Sequence, residues 1–240
     1  MTRFQRYAIY VMPDGPLADF GMAWLGWDAR TGGPVDHPEV AGLPRPLPEI
    51  TATPRKYGLH ATIKPPFRLA AETTLAALMQ DLANLCERTD PVTLDGLMLA
   101  RLGSFLALVP AGDTTALDTL AAAAVTGLDR HRAPLTEADL TRHRAGKTLS
   151  PAQEDNLIRW GYPHVLDQFR FHITLTGSLA RHEAEAVAET LSPHLIPHLP
   201  RPYAIDSLCL MGEDAEGLFH LIHRYPLGPA ASRSSTATSA

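Results

Sequence analysis

The chain has 240 residues, enough for one large domain or two small ones, and its 45% hydrophobic and 20% charged content is that of an ordinary globular protein. Its formal charge of −5 argues against gripping long nucleic acid by bulk electrostatics, which takes a basic surface. No apolar run is long enough to span a bilayer, and the run at 7–12 is too short for a signal peptide, so no membrane partner and a cytoplasmic location are expected.

In chain order, residues 6–12 read as a strand stopped by Pro13, and 17–28 as a short helix from the spacing of Leu17, Phe20, Trp24 and Leu25. Residues 31–54, rich in Pro and Gly, read as a long surface loop. A strand is predicted over 58–69, with Pro65 and Pro66 marking an end or an edge. Leu75, Leu78, Met79, Leu82 and Leu85 place a helix over 72–88, and Cys86 falls within it as a small packing residue. Strands at 92–99 and 104–109 form a hairpin, and Asp113, Thr114 and Thr115 offer capping oxygens to a helix over 114–129.

Residues 130–163 read as a polar helical insert with helices at 136–142 and 150–159, the second opened by Ser150-Pro151-Ala152-Gln153. A strand over 169–178, a helix over 181–195 and a hairpin of 204–211 with 218–225 follow; Cys209 lies in that hairpin. The Ser/Thr/Ala-rich tail 229–240 is expected to be disordered, leaving 1–228 as one bilobal domain. Strand, helix and hairpin occur twice, a loose internal duplication. The order predicts an α+β protein with antiparallel sheets, in which two similar lobes would meet across a cleft.

Two segments carry the chemistry: Leu59-His60-Ala61-Thr62-Ile63 and Phe171-His172-Ile173-Thr174-Leu175. In a strand, residues two apart share a face. His60 would therefore sit beside Thr62 and His172 beside Thr174, while the apolar residues between them turn to a core. A phosphodiester is cleaved by a base that takes a proton from the attacking oxygen and an acid that gives one to the leaving oxygen. Histidine suits both near neutral pH. Threonine hydroxyls can donate to the non-bridging oxygens. The same rule adds Lys64 and Arg170 as cations for an anionic substrate. Thr176 is also in step, though it could simply continue the polar face. Tyr7, Tyr57 and Tyr10 are further candidates for the cleft wall, with core packing expected for at least one.

The other histidines are weaker. His194 and His198 are four apart but separated by Pro197 and unaccompanied by a carboxylate or cysteine, and His220 and His223 cannot share a strand face. There is no H-E-x-x-H, no Gly-rich phosphate loop and no G-x-S-x-G. No metal and no cofactor are expected.

The segments HATI and HITL resemble the paired H-x-T/S-hydrophobic signatures of the two-histidine (2H) phosphoesterase superfamily. The longer stretches RYAIYVMP, GMAWLGWDA, PRKYGLHATIKPPFRL, FLALVP, HRAPLT and RWGYPHVLDQFRFHITLTGSL are similar to a bacterial branch of it, encoded beside carbon–phosphorus lyase genes. The resemblance implies a bilobal pseudo-twofold fold, two antiparallel sheets lining a central cleft with helices outside. It also implies His60 and His172 as the acid/base pair and Thr62 and Thr174 as phosphate-binding hydroxyls. Superfamily members act on 2′,3′-cyclic, 1″,2″-cyclic or 2′,5′-linked phosphodiesters, generally without a metal. The branch implies a small phosphorylated sugar or nucleotide as partner. The insert at 130–163 departs from the minimal pattern; it could cap the cleft, where Arg132 would reach the ligand. Either histidine could be the base. The leading expectation is a metal-independent phosphodiesterase hydrolysing a small cyclic ribose phosphodiester in phosphonate metabolism; two rival readings are an enzyme processing 2′,3′-cyclic or 2′,5′ RNA ends, and a non-catalytic phosphate-ligand sensor or scaffold. Nothing in the chain specifies an oligomeric state.

Overall fold

The computed structural model describes residues 4–146 and 148–229. The expected tail, apart from Pro229, lies outside the described residues. In chain order the elements are β1 (Arg6–Val11), α1 (Gly15–Leu25), β2 (Trp27–Asp28), β3 (Gly33–Pro34), α2 (Leu47–Ile50), α3 (Ala52–Arg55), β4 (Ala61–Phe67) and α4 (Leu75–Glu87). Then come β5 (Val92–Leu94), β6 (Gly96–Leu102), β7 (Phe105–Ala111), α5 (Thr115–Gly127), α6 (Glu137–Arg144) and α7 (Pro151–Trp160). The chain closes with β8 (Ile173–Thr174), α8 (Arg181–Leu195), β9 (Tyr203–Ile205), β10 (Ser207–Glu213) and β11 (Phe219–Pro226).

The class is α+β with antiparallel pairing, as the sequence predicts. The sheets of the two halves are not separate. They join in one seven-stranded sheet of order β11-β10-β1-β4-β8-β7-β6, every neighbouring pair antiparallel. The joint is the single pair Ala61 with Ile173. β5 does not continue into β6 as one strand; it turns away and pairs with β9 in a small ribbon.

One face of the sheet carries the main core. Tyr7, Ile9 and Val11 of β1, Ala61 and Ile63 of β4, and Ile173 of β8 pack there against α1, α4, α5 and α8. The apolar spacing of α4 explains its place: Leu78, Leu82 and Cys86 recur at four-residue steps and are buried. Ser150 and Gln153 close the predicted capping box of α7, with Pro151 in its first turn. Asp113 accepts from the backbone and hydroxyl of Thr115 at the start of α5. The proline-rich 31–54 segment is more ordered than predicted: α2 and α3 form within it, and Leu47 and Ile50 reach the core.

The opposite face carries a second, smaller cluster. Ala8, Tyr10 and Met12 of β1 meet Trp27, Cys209, Met211 and Phe219 there, with Tyr57 packed against them. No helix among the described residues is long and apolar enough to cross a membrane.

Candidate active site

The pairing of Ala61 with Ile173 brings the two predicted segments side by side. Because β4 and β8 run antiparallel, that register continued by one residue each way sets His60 opposite Thr174 and Thr62 opposite His172. Directly opposed side chains have Cβ atoms about 5 Å apart and diagonal ones about 7–8 Å. The two histidines are thus a diagonal pair with a local twofold between Ala61 and Ile173.

Each ring is held by the same local bond. His60 Nδ1 lies 2.9 Å from the Gly58 carbonyl oxygen, and His172 Nδ1 lies 2.7 Å from that of Arg170. A carbonyl only accepts, so Nδ1 carries the proton in both rings and Nε2 is turned outward. Gly58 adopts φ +72°, a left-handed conformation that favours glycine. Strand alternation does not single it out; the Gly-Leu-His order before the first motif is the signal for it. His60 Nε2 lies 3.1 Å from Thr62 Oγ1, so the hydroxyl donates to the ring nitrogen.

The two sites are not equivalent. His60 stacks on Tyr10 with ring centroids 3.8 Å apart and is flanked by Tyr57 at 5.9 Å. Burial pushes its pKa down to about 4; the Gly58 carbonyl works the other way, and the charge of His172 adds to the lowering. His60 is therefore neutral at pH 7. His172 is half-exposed and meets Phe105 of β7 at 5.8 Å. Its strand is fixed by Trp24, which donates to the Leu175 carbonyl at 2.8 Å.

Tyr10 and Tyr57, rather than Tyr7, pack against His60; Tyr10 is fully buried and Tyr57 half-buried. Tyr7 is three residues from Tyr10 on one strand, so it turns to the helix-covered core. The Tyr10 hydroxyl is buried without a hydrogen-bond partner, and burial, with Tyr57 adding, raises its pKa well above the ordinary value.

Lys64 is the clear correction. Between the pairs Tyr10–Thr62 and Ile9–Lys64 the register shifts, so two residues of β4 are spent on one of β1. A second shift follows at Pro65 and Pro66, before Tyr7 pairs with Phe67. The first bulge breaks the two-residue alternation and turns Lys64 under α5. There its ammonium donates to the Val125 carbonyl at 3.0 Å and to Asp129 at 3.3 Å. Burial lowers its pKa to about 8, against the pull of Asp129.

Arg132 is corrected too. It binds Asp129 through Nε at 2.8 Å and Nη2 at 3.1 Å, and donates to the Arg159 carbonyl at 3.0 Å, so it braces the insert. Arg170 is exposed beside His172, and Thr174 is half-buried at the joint. Thr176 is buried and serves the backbone: it accepts from Leu106 N at 3.0 Å and donates to the Gly177 carbonyl at 2.9 Å.

Tyr162 acts electrostatically on Tyr10, and its own phenol is raised by burial and then by Tyr57. Among the described residues no group of three or more His, Cys, Asp or Glu is gathered to hold a metal ion. A hollow of about 480 Å³ along His37–Pro48 contains none of the motif residues.

The helix-backed antiparallel sheet thus carries the two His-x-Thr segments on the face away from the main core. Residues 62–220 match the family described as "Protein of unknown function (DUF1045)", and the chain belongs to that family. It is 36% identical over 239 residues to a protein of Janthinobacterium sp. (strain Marseille) named ribose 1,5-bisphosphate phosphokinase PhnN, covering 96% of this chain and 52% of that one. A relative of the same name from Laribacter hongkongensis (strain HLHK9) is 33% identical, covering 96% of this chain and 55% of that one. The chain thus spans about half the length of the curated relatives it matches. Among solved structures, E. coli LigT in its apo form aligns at 17% identity with a TM-score of 0.44, covering 95% of this chain and 99% of LigT. TT0787 of Thermus thermophilus aligns at 15% identity with a TM-score of 0.42, covering 94% of this chain and 99% of that one.

Proposed function

We propose that this chain is a metal-independent phosphodiesterase that hydrolyses a small cyclic phosphodiester, with His60 as general base and His172 as general acid. The observation that carries the reading is the β4–β8 register, which sets His60-x-Thr62 against Thr174-x-His172 with both Nδ1 protons tied down. Water attacks phosphorus in line. Its proton passes to Nε2 of His60, a ring already neutral at pH 7, as the Thr62 hydroxyl turns from that nitrogen to the phosphate. The ring P–O bond breaks, and the leaving oxygen takes a proton from Nε2 of His172, which enters the step as the imidazolium and leaves it as the neutral ring with its proton on Nδ1. Thr62 and Thr174 donate to the non-bridging oxygens as charge builds there.

The kinase activity in the relatives' names belongs to proteins about twice as long, and this sequence has no Gly-rich phosphate loop. Its alignment with proteins of that name is what favours a sugar phosphate over an RNA end as substrate.

The test is turnover of a panel of cyclic ribose phosphates followed by phosphorus NMR with EDTA present. Cleavage that persists in EDTA is expected. Complete loss restored only by a divalent metal would reject the mechanism. A base must be unprotonated, so kcat/KM should hold as pH falls below 6.5 and drop only near pH 4. An acid limb at 6.5 in the pH–rate profile would remove His60 from that role. Thr62→Val and Thr174→Val should each lower kcat on the order of 10²-fold with little change in melting temperature.

A further inference from the structure

We propose that a pocket lined by Arg6, Arg68 and Arg142 binds a terminal phosphate of the substrate, so that the cyclic diester turned over also carries a phosphomonoester. The inference rests on the phosphodiesterase reading and narrows its substrate class.

The pocket encloses about 250 Å³ and is lined by Gln5, Arg6, Arg68, Arg142 and Glu213. Its arginines come from three separate elements. Arg6 opens β1, Arg68 follows the last residue of β4, and Arg142 stands on α6 of the insert. Three guanidiniums therefore converge where the sheet ends and the insert begins.

Their counter-charges do not balance them. Arg6 forms a two-point pair with Glu213 through Nε and Nη2. Arg68 and Arg142 share one carboxylate, Asp139, each through Nη2 alone. Asp139 Oδ2 also accepts from the backbone N–H and hydroxyl of Thr136, the cap of α6. Three positive groups face two negative ones, and a surplus positive charge remains. The Arg68 and Arg142 side chains keep 42% and 62% of their surface exposed, with further N–H donors unspent on Asp139. A planar guanidinium with free donors suits a phosphate, which can accept from two at once.

The pocket also lies on the correct side of the sheet. Arg6 is four residues before Tyr10 on β1, so the two share a face, roughly 13 Å apart along the strand. Tyr57 and Tyr10 both act electrostatically on Arg6, and Tyr10 stacks on His60. Beside Arg142, His143 meets Tyr162 edge-on at 5.5 Å. Tyr57 and Tyr162, both half-buried, thus form a wall between the histidines and the arginines, with Tyr10 fully buried against His60. A sugar or nucleoside lying along that wall would present its diester to one end and a terminal phosphate to the other.

Two measurements separate this proposal from the catalytic reading. In the His60→Ala/His172→Ala protein, ribose 5-phosphate should bind in a calorimetric titration while ribose does not. Adding Arg142→Ala, a change on an exposed side chain, should weaken that binding at least tenfold; Arg68→Ala gives an independent second variant. No binding, equal binding of ribose and its phosphate, or indifference to both substitutions would overturn the pocket whatever the catalytic outcome. In the wild type, adenosine 2′,3′-cyclic phosphate should be a poorer substrate than its 5′-phosphorylated form by at least tenfold in kcat/KM. The ratio should collapse toward one in Arg142→Ala. Equal rates would reject the second phosphate and leave the catalysis standing. Cleavage of neither compound would count against the catalytic reading, with the titration still deciding the pocket.

Discussion

His60→Ala and His172→Ala should each cut kcat/KM on the true cyclic diester by 10²–10⁴-fold, the range that a positioned acid or base contributes. The double variant should be little worse than either single one. Base and acid act on one displacement, and groups that act as a unit are not additive. Thermal melts guard against unfolding as the cause. His172 is half-exposed against Phe105, and its removal should leave the melt within a few degrees of wild type. His60 sits against Tyr10, so His60→Gln, which keeps more of that contact, provides a second reading at the same position. Wild-type rates in either alanine variant would end the two-histidine mechanism. Retained ligand binding with no turnover in the wild type itself would instead favour a phosphate-ligand sensor.

Much of this site is legible in the amino-acid sequence, because the signals for it are local. His60 with Thr62 and His172 with Thr174 follow from strand alternation, and the neighbours Ala61, Ile63, Phe171, Ile173 and Leu175 do turn to the core. Local signals also serve the helices: α8 spans the predicted 181–195, and the capping box of α7 is where Ser150 and Gln153 suggest. The failures come from pairing between distant segments. Lys64 obeys the alternation rule by its spacing, but a bulge against β1 turns it to the other face. Which of Tyr7 and Tyr10 faces the histidines depends on which side of β1 the helices cover. The arginine pocket joins residues 6, 68 and 142, each unremarkable in its own stretch. The joining of two sheets into one rests on a single residue pair, which no periodicity announces.

The buried lysine leads to the largest expected change in stability. Asp129→Ala should destabilise the protein by about 3–5 kcal/mol, the usual cost of leaving one member of a buried pair uncompensated. At this chain length that is a fall of about 6–20 °C in melting temperature. The Lys64 ammonium, with 3% of its side chain exposed, would keep only the Val125 carbonyl among these two partners. That carbonyl lies in the last turn of α5, where the helix dipole favours a cation but does not neutralise it. Burial works to raise the Asp129 carboxyl, and Arg132 and Lys64 overcome it, so the aspartate is ionised and holds both. Lys64→Met in the Asp129→Ala background should recover most of the loss, since a buried pair replaced by apolar groups is often neutral. The pH dependence carries the same signature. With a folded pKa of about 8 against 10.5 when unfolded, Lys64 binds fewer protons in the folded state between those values. Its contribution to stability therefore rises with pH across that window and is absent in Lys64→Met. A loss below 1 kcal/mol in Asp129→Ala, or no rescue by Lys64→Met, would show that this pair contributes little to the fold. Because Asp129 also holds Arg132, and Arg132 holds the Arg159 carbonyl, the same substitution loosens the insert. Substrate affinity, read as KM, should weaken in Asp129→Ala before the melt is reached, since Tyr162 and Arg142 both depend on where the insert sits.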